Sequence, residues 1–250
     1  MAETAAARPA ARLSPEDIAF ARALVIYEDA EVMVLNKPSG LSSQGGRIRA
    51  PTLDELLAAF AKPSGVKPRL VHRLDRDTSG AILAARSQPA AAFLGKAMMA
   101  RRIHKTYLAI VAPGAPQPPA GVIETALARR EIGREAYVRV VEPEAEGAQA
   151  AHTRYRTLAA DEHAALVELV PRTGRMHQLR VHLASIGRPI AGDARYGGAL
   201  VLAGAPVGRL MLHAQALVFP HPAGGERRIE APTPADMQAL IGAIGQPWAR

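Results

Sequence analysis

The stretch His72-Arg73-Leu74-Asp75-Arg76-Asp77-Thr78-Ser79-Gly80 follows a short apolar segment, Leu70-Val71, and runs directly into another, residues 80–85. Apolar runs of this length bounded by polar, glycine-bearing sequence read as strands, so the nine residues form a loop between strands at a sheet edge. Two carboxylates, Asp75 and Asp77, stand among Arg73, Arg76 and His72. Guanidinium groups near a carboxylate favour its ionised form, and an ionised carboxylate serves as nucleophile or base. The same residues also fit a salt-bridged turn with no chemistry.

Outward from this loop, Ser14-Pro15-Glu16-Asp17 has the pattern of a helix start: a capping serine, proline at the first helical position and acids in the first turn. It predicts a short helix to about residue 22. Residues 23–27 and 31–36 read as two strands around an Asp29-Ala30 turn, and Lys37-Pro38-Ser39-Gly40 breaks the second. Residues 40–50 read as loop, Thr52 caps a helix predicted over 53–62, and residues 88–99 have helical spacing. Strands are predicted over 105–111, 122–127, 136–141, 153–157, 165–170, 210–219 and 228–230, with a proline-rich connector at 112–120. Helices are predicted over 176–186, ending at Gly187, and over 233–244. This order is mostly strands with interspersed helices and no regular βαβ alternation. It predicts an α+β fold with a mixed, largely antiparallel central sheet flanked by helices and loops. No internal repeat or composition break divides the chain, so the expected organisation is a tail and short helix over 1–22 and a catalytic domain over 23–250.

The 250 residues, 48% of them hydrophobic, suffice for a sizeable core. Lysine and arginine number 31 against 23 acids, a net charge of +8, which points to a polyanionic partner and to nucleic acid first. Aromatics make up only 4%, which does not favour extended single-strand binding on a row of stacking platforms. Cysteine is absent, which excludes disulfides, thiolate metal sites and a thiolate nucleophile. No apolar run reaches spanning length, and Glu3, Arg8 and Arg12 do not support a secretory signal. A cytoplasmic monomer with no membrane partner is the resulting expectation. Neither a phosphate-cradling Gly-x-x-x-x-Gly-Lys-Ser/Thr run nor a Gly-x-Ser-x-Gly nucleophile elbow is present.

Two further constellations carry chemistry. In Arg172-Thr173-Gly174-Arg175-Met176-His177-Gln178-Leu179-Arg180-Val181-His182-Leu183, a helix places Met176, Leu179 and Leu183 on one apolar face and His177 and Arg180 on a neighbouring one. Arg172 and Arg175 stand at its entrance, suited to phosphate contact. His177 and His182 are five apart, so they do not share a helical face, and no third ligand is evident; no metal site is expected. The histidines read as hydrogen-bonding or phosphate-contacting groups. In Lys105-Thr106-Tyr107-Leu108-Ala109-Ile110-Val111, Tyr107 can stack on a base and donate a hydrogen bond, or it can be a core tyrosine.

Together these segments resemble the RluA family of pseudouridine synthases. The similarity includes Asn36-Lys37-Pro38-Ser39-Gly40-Leu41, residues 72–80, 105–111 and 172–183, Gly192-Asp193-Ala194-Arg195-Tyr196-Gly197 and Leu212-His213-Ala214, in order over roughly residues 23–240. The resemblance implies isomerisation of uridine to pseudouridine in ribosomal RNA, transfer RNA or both, with no cofactor or metal. It implies Asp75 as catalytic carboxylate, Arg180 as the arginine paired with it, and Tyr107 as the tyrosine that stacks on the base and is a candidate base for the last proton removal. Arg73 corresponds to the arginine that replaces the flipped nucleotide in the RNA stack; His72, Arg76 and Thr78 complete the loop. With Lys105, Arg172, Arg175 and His177, these make up the expected RNA-binding set. Arg180→Met is expected to lose activity with the fold retained. About 22 residues precede the first strand, so a stand-alone catalytic domain without an S4-type RNA-binding domain is expected. The competing reading is an RNA-binding or ribosome-assembly protein of the same fold without catalysis.

Overall fold

The computed structural model describes residues 13–45, 51–132, 135–202 and 204–245. Most of the expected N-terminal tail and the second half of the expected 40–50 loop lie outside these residues. Helix α1 (Pro15–Ala23) begins with a capping box: Ser14 accepts from the Asp17 N–H, and the Asp17 side chain accepts from the Ser14 N–H. β1 (Val25–Glu28) and β2 (Val32–Lys37) form the antiparallel hairpin, its turn fixed by Asp29 Oδ1, which accepts from the N–H groups of Glu31 and Val32. A second capping box, Thr52 with Glu55, starts α2 (Leu53–Leu56). The helix expected to reach residue 62 instead tightens into a 3-10 turn over Leu57–Phe60. Pro63 follows Lys62 and disfavours helical backbone in it.

The chain continues through β3 (Arg69–Leu70), β4 (Ser79–Ala85), α3 (Gln88–Met99), β5 (His104–Val111), β6 (Ala120–Ile132), β7 (Glu135–Val141), β8 (Gln149–Ala160) and β9 (Ala165–Pro171). It closes with α4 (Gln178–Ser185), β10 (Val201–Leu202), β11 (Ala205–Pro206), β12 (Leu212–Pro220), β13 (Glu226–Glu230) and α5 (Ala235–Ala243). Both β6 and β8 run well past their expected lengths. Their polar outer ends, such as Arg129-Arg130-Glu131, are strand because β7 and β8 pair with β6, not because of apolar alternation. The hairpin of β10 and β11 carries no strand signal in the sequence.

Eleven of the described strands form one sheet with the path β1-β2-β4-β12-β5-β9-β8-β6-β7, to which β3 adds at β4 and β13 at β12, while β10 and β11 pair with each other. Its pairings are antiparallel except β4 with β12. Alternate strand residues face opposite ways. Val32, Val34, Leu83, Leu217 and Phe219 pack against Leu94 and Ala97 of α3 on one face. Met33, Leu35, Ile82, Tyr107 and Val167 pack against Leu53, Leu179, Leu183 and Met237 on the other. Each fully buried leucine contributes roughly 1.5–3 kcal/mol of transfer free energy to this arrangement.

The parallel pair β4–β12 explains the glycine that ends the acidic loop. Gly80 lies opposite Ala214 with φ +113, and a Cβ there would come within 2.3 Å of the Ala214 carbonyl oxygen. Only glycine permits this approach. Beside it, Ser79 Oγ lies 2.9 Å from Nδ1 of the fully buried His213. The 72–79 loop therefore enters the centre of the sheet rather than its edge.

Candidate active site

The loop carrying Asp75 is gripped through its backbone by residues 37–43. Lys37 is fully buried, and its Nζ donates to the carbonyls of Pro38 (2.9 Å), Leu41 (2.7 Å) and Arg76 (2.9 Å). The Gly40 N–H also donates to the Arg76 carbonyl, and Ser39 Oγ donates to that of Asp77. Ser43 Oγ donates to the Leu74 carbonyl and accepts from the Leu74 N–H. Burial pulls the Lys37 pKa down to about 7, against the opposing pull of Asp77 and Asp75. In the sequence Lys37 belongs to the break after the second strand and to the family-like segment 36–41, with no side-chain role assigned; the available signal is a lysine at the end of a strand that opens with four apolar residues, directly before Pro38-Ser39-Gly40.

With its backbone fixed, the loop sorts its side chains. Leu74 and Thr78 point inward, Thr78 with only 2% exposure, while Arg73 and Arg76 are exposed and Asp75 is half-buried. Asp77 accepts from Arg76 Nε at 3.0 Å on the surface. Among the described residues, no ion pair takes up the Asp75 carboxylate. Of the other loop residues expected to contact RNA, His72 is half-buried and Thr78 buried. His72 Nε2 accepts the Leu83 N–H at 3.2 Å, and burial, followed by the charge of Lys105, holds the imidazole well below its ordinary pKa.

Tyr107 and Arg180 both lie within electrostatic reach of Asp75. Tyr107 lies on β5 opposite Ala214, which in turn lies opposite Gly80, so the three stand in one row across the sheet. Burial and then the Asp75 charge push the Tyr107 phenol pKa up. A phenol held in its protonated form suits stacking and hydrogen bonding better than proton removal. Lys105, two residues before it, is half-buried, and its pKa is lowered by burial.

Arg180 does not pair with Asp75 as expected. Its Nε and Nη2 donate to Asp193 Oδ2 and Oδ1, both at 2.7 Å, and its guanidinium lies 5.0 Å from the Tyr196 ring centroid. The reason is local. Asp193 is buried and also accepts the N–H groups of Arg195 and Tyr196, so its carboxylate is fixed in a turn directly beside α4. Burial lowers the Arg180 pKa, but Asp193 and then Asp75 outweigh it, and the net shift is upward. Asp75 thus meets Arg180 as a charge at a distance and not as a hydrogen-bonded partner.

Helix α4 starts two residues later than expected because His177 adopts left-handed backbone, φ 53 and ψ 18, a conformation that costs a non-glycine residue roughly 1–2 kcal/mol. The buried Gln178 explains the preceding turn. Its Oε1 accepts from Thr173 Oγ1 and the Arg175 N–H, while its Nε2 donates to the His152 carbonyl and Thr153 Oγ1. This clamp leaves Arg172 and Arg175 exposed at the helix entrance. His177 Nδ1 lies 2.7 Å from the Tyr196 hydroxyl. Burial lowers the His177 pKa, with Asp75 pulling the other way. His182 is enclosed between Thr125 and Thr153, and burial takes its pKa to about 4. Asp193, Tyr196 and Gln178 had no assigned role in the sequence, although all three lie in its quoted motifs.

Residues 31–185 match the family model described as RNA pseudouridylate synthase. The chain is similar to ribosomal large subunit pseudouridine synthase C of Yersinia pestis, 41% identical over 212 residues, which cover 83% of this chain and 65% of that protein. It is also similar to an uncharacterized RNA pseudouridine synthase of Bacillus subtilis, 38% identical over 222 residues, covering 86% and 70%. The chain thus spans just under two thirds of the Yersinia pestis protein's length. Among solved structures it resembles human RNA pseudouridylate synthase domain containing 4, with a TM-score of 0.76 and 28% identity, covering 91% of this chain and 96% of the other.

Proposed function

The chain belongs to the RNA pseudouridylate synthase family, and from that premise we propose that it isomerises uridine to pseudouridine in ribosomal RNA with Asp75 as the catalytic carboxylate. The observation that carries this reading is the contrast between its two loop acids. Asp77 is spent on Arg76 at the surface, while Asp75 is held by its backbone, with no ion pair of its own among the described residues, in electrostatic reach of Arg180 and the buried Tyr107.

The target uridine must leave its stack before its C1′–N1 bond is accessible, which costs a few kcal/mol. Exposed Arg73 fills the gap, and Tyr107 supports one face of the extruded uracil. Asp75 acts on the nucleoside so that the C1′–N1 bond opens. The freed base turns and rejoins the ribose through C5; C5 loses a proton and N1 gains one. Arg180, fixed by Asp193, contributes a permanent positive charge, and Arg76, Arg172 and Arg175 meet phosphates. Ribosomal RNA is the favoured substrate because the Yersinia pestis relative is named for the large ribosomal subunit.

The test is carbodiimide-based pseudouridine mapping of total RNA from wild-type cells, a deletion strain, and strains carrying Asp75→Asn or Asp77→Asn. One or more ribosomal sites should vanish in the deletion and in Asp75→Asn and persist in Asp77→Asn. Full modification by the Asp75→Asn protein would sink the assignment. Loss of sites only in transfer RNA would overturn the substrate, and RNA binding without conversion of any uridine would favour a non-catalytic role.

A further inference from the structure

Three parts of one residue engage three parts of the site wall. The Tyr196 hydroxyl oxygen accepts the Val138 N–H of β7 at 3.1 Å and lies 2.7 Å from His177 Nδ1. Its ring meets the His177 ring edge-on, centroids 5.6 Å apart at 75°, and lies beneath the Arg180 guanidinium. Its backbone N–H donates to Asp193 Oδ1, the carboxylate that holds Arg180.

The hydrogen-bond inventory favours one tautomer. A phenol has one proton to give, and its oxygen accepts from Val138; among the described residues His177 Nδ1 is the one acceptor in reach of that proton. An imidazole that accepts at Nδ1 carries its own proton on Nε2. His177 is also the left-handed residue at the start of α4, a conformation that surrounding structure must impose on a residue with a side chain. Both His177 and Arg180 feel the charge of Asp75.

We propose that Tyr196 is a positioning residue of the reaction: its hydroxyl holds His177 as the Nε2–H tautomer and its ring holds the Arg180 guanidinium, so that a neutral N–H donor and a fixed cation face the Asp75 side of the site together. An N–H donor there matches a uracil carbonyl, which an imidazole accepting at the same position would repel. The proposal rests on Asp75 being the reactive carboxylate, and its test separates the two.

Long-range proton–nitrogen spectra of histidine-labelled wild-type protein read the tautomer without turnover. His177 should show a protonated Nε2 and a bare Nδ1; a protonated Nδ1 in the wild type overturns the proposal whether or not any variant folds. Tyr196→Phe keeps the ring and the backbone N–H and removes only the hydroxyl. Its His177 should populate the Nδ1–H form, and kcat should fall on the order of tenfold to a hundredfold while KM for RNA stays within about twofold. His177→Asn, which tolerates left-handed backbone, should lose a similar factor, and the double variant should be no slower than the slower single one. Wild-type kcat in Tyr196→Phe, an unchanged tautomer, or losses that multiply in the double variant would each overturn it. A wild-type protein that converts no uridine in any RNA would instead remove the reading of Asp75, a failure that the spectrum tells apart.

Discussion

Arg180 and Asp193 form a bidentate ion pair almost out of reach of solvent, 7% and 1% exposed, with both N–O distances 2.7 Å. Removing one partner of such a pair leaves a buried, uncompensated charge and costs about 3–5 kcal/mol. Asp193→Asn should therefore lower the unfolding free energy by about that amount and release the guanidinium from its fixed position. The same geometry revises the expectation for Arg180→Met, which should lose stability as well as activity. Denaturant midpoints of both singles and of Arg180→Met combined with Asp193→Asn provide the check. The double variant should be less destabilised than the sum of the singles. An Asp193→Asn protein within about 1 kcal/mol of wild type would mean that the pair is not what holds Arg180.

Lys37 is the second residue whose importance lies in what it holds. Lys37→Met removes the donor from the Pro38, Leu41 and Arg76 carbonyls, and among the described residues only the last keeps another partner, the Gly40 N–H. The loop around Asp75 then loses its side-chain anchor to the Arg76 carbonyl, and misplacement of a reacting group by about 1 Å can cost on the order of a hundredfold in rate. The expected result is a kcat lowered by about that factor with RNA affinity unchanged, because the exposed arginines are untouched. Single-turnover pseudouridine formation and filter binding on the same protein measure the two quantities. Equal losses in both would place Lys37 in RNA binding rather than in loop placement.

The pattern of what could be read in the sequence follows from the range of the interactions. Helices α1 and α3 are set by caps and spacing within a dozen residues, and they lie where local rules put them. Asp75 and Tyr107 stand out through the motifs that carry them, although the groups near them in space, Arg180 and Ala214, lie far along the chain. Lys37 bonds to a carbonyl 39 positions away, and Arg180 to a side chain 13 positions on, across a turn whose shape needs Gly192 and Gly198. A Cβ on either glycine would fall within 2 Å of a backbone oxygen. No periodicity carries that information. The misplaced start of α4 has the same cause, since a buried glutamine reaching to β8 overrides the helical spacing of residues 176–186.

Two buried histidines make stability depend on mild acid. His182 and His213 are both fully buried, and burial lowers each pKa from 6.5 to about 4. Between those values the unfolded chain binds more protons than the folded one, so folding loses free energy as pH falls. The stabilisation of the neutral forms is complete above about 6.5 and lost progressively toward 4, up to about 3 kcal/mol for each histidine. Unfolding free energy measured by urea from pH 7 to pH 4.5 should decline through this window. His182→Gln keeps polar contacts to Thr125 and Thr153 and should flatten the decline. A pH-independent stability over the range would show that the two imidazoles are protonated in place.

Arg172 and Arg175 stand exposed where the Gln178 clamp presents them, and neither forms an ion pair among the described residues; Arg175 Nε donates only to the Ala150 carbonyl. If they meet phosphates, each releases condensed counterions on binding, and the dependence of log affinity on log salt should become shallower by about 0.7–0.9 for each arginine removed. Arg172→Ala and Arg175→Ala should weaken binding by similar factors for cognate and unrelated RNA, since a phosphate contact carries no sequence information. Arg73→Ala should behave differently. An arginine that replaces an extruded base acts after docking, so its loss should lower kcat more than affinity and leave the salt slope nearly unchanged. Binding titrations at several salt concentrations, paired with single-turnover rates, distinguish the two roles. A salt slope that drops for Arg73→Ala as much as for Arg172→Ala would make Arg73 one more phosphate contact and leave the extruded base without a replacement from this loop.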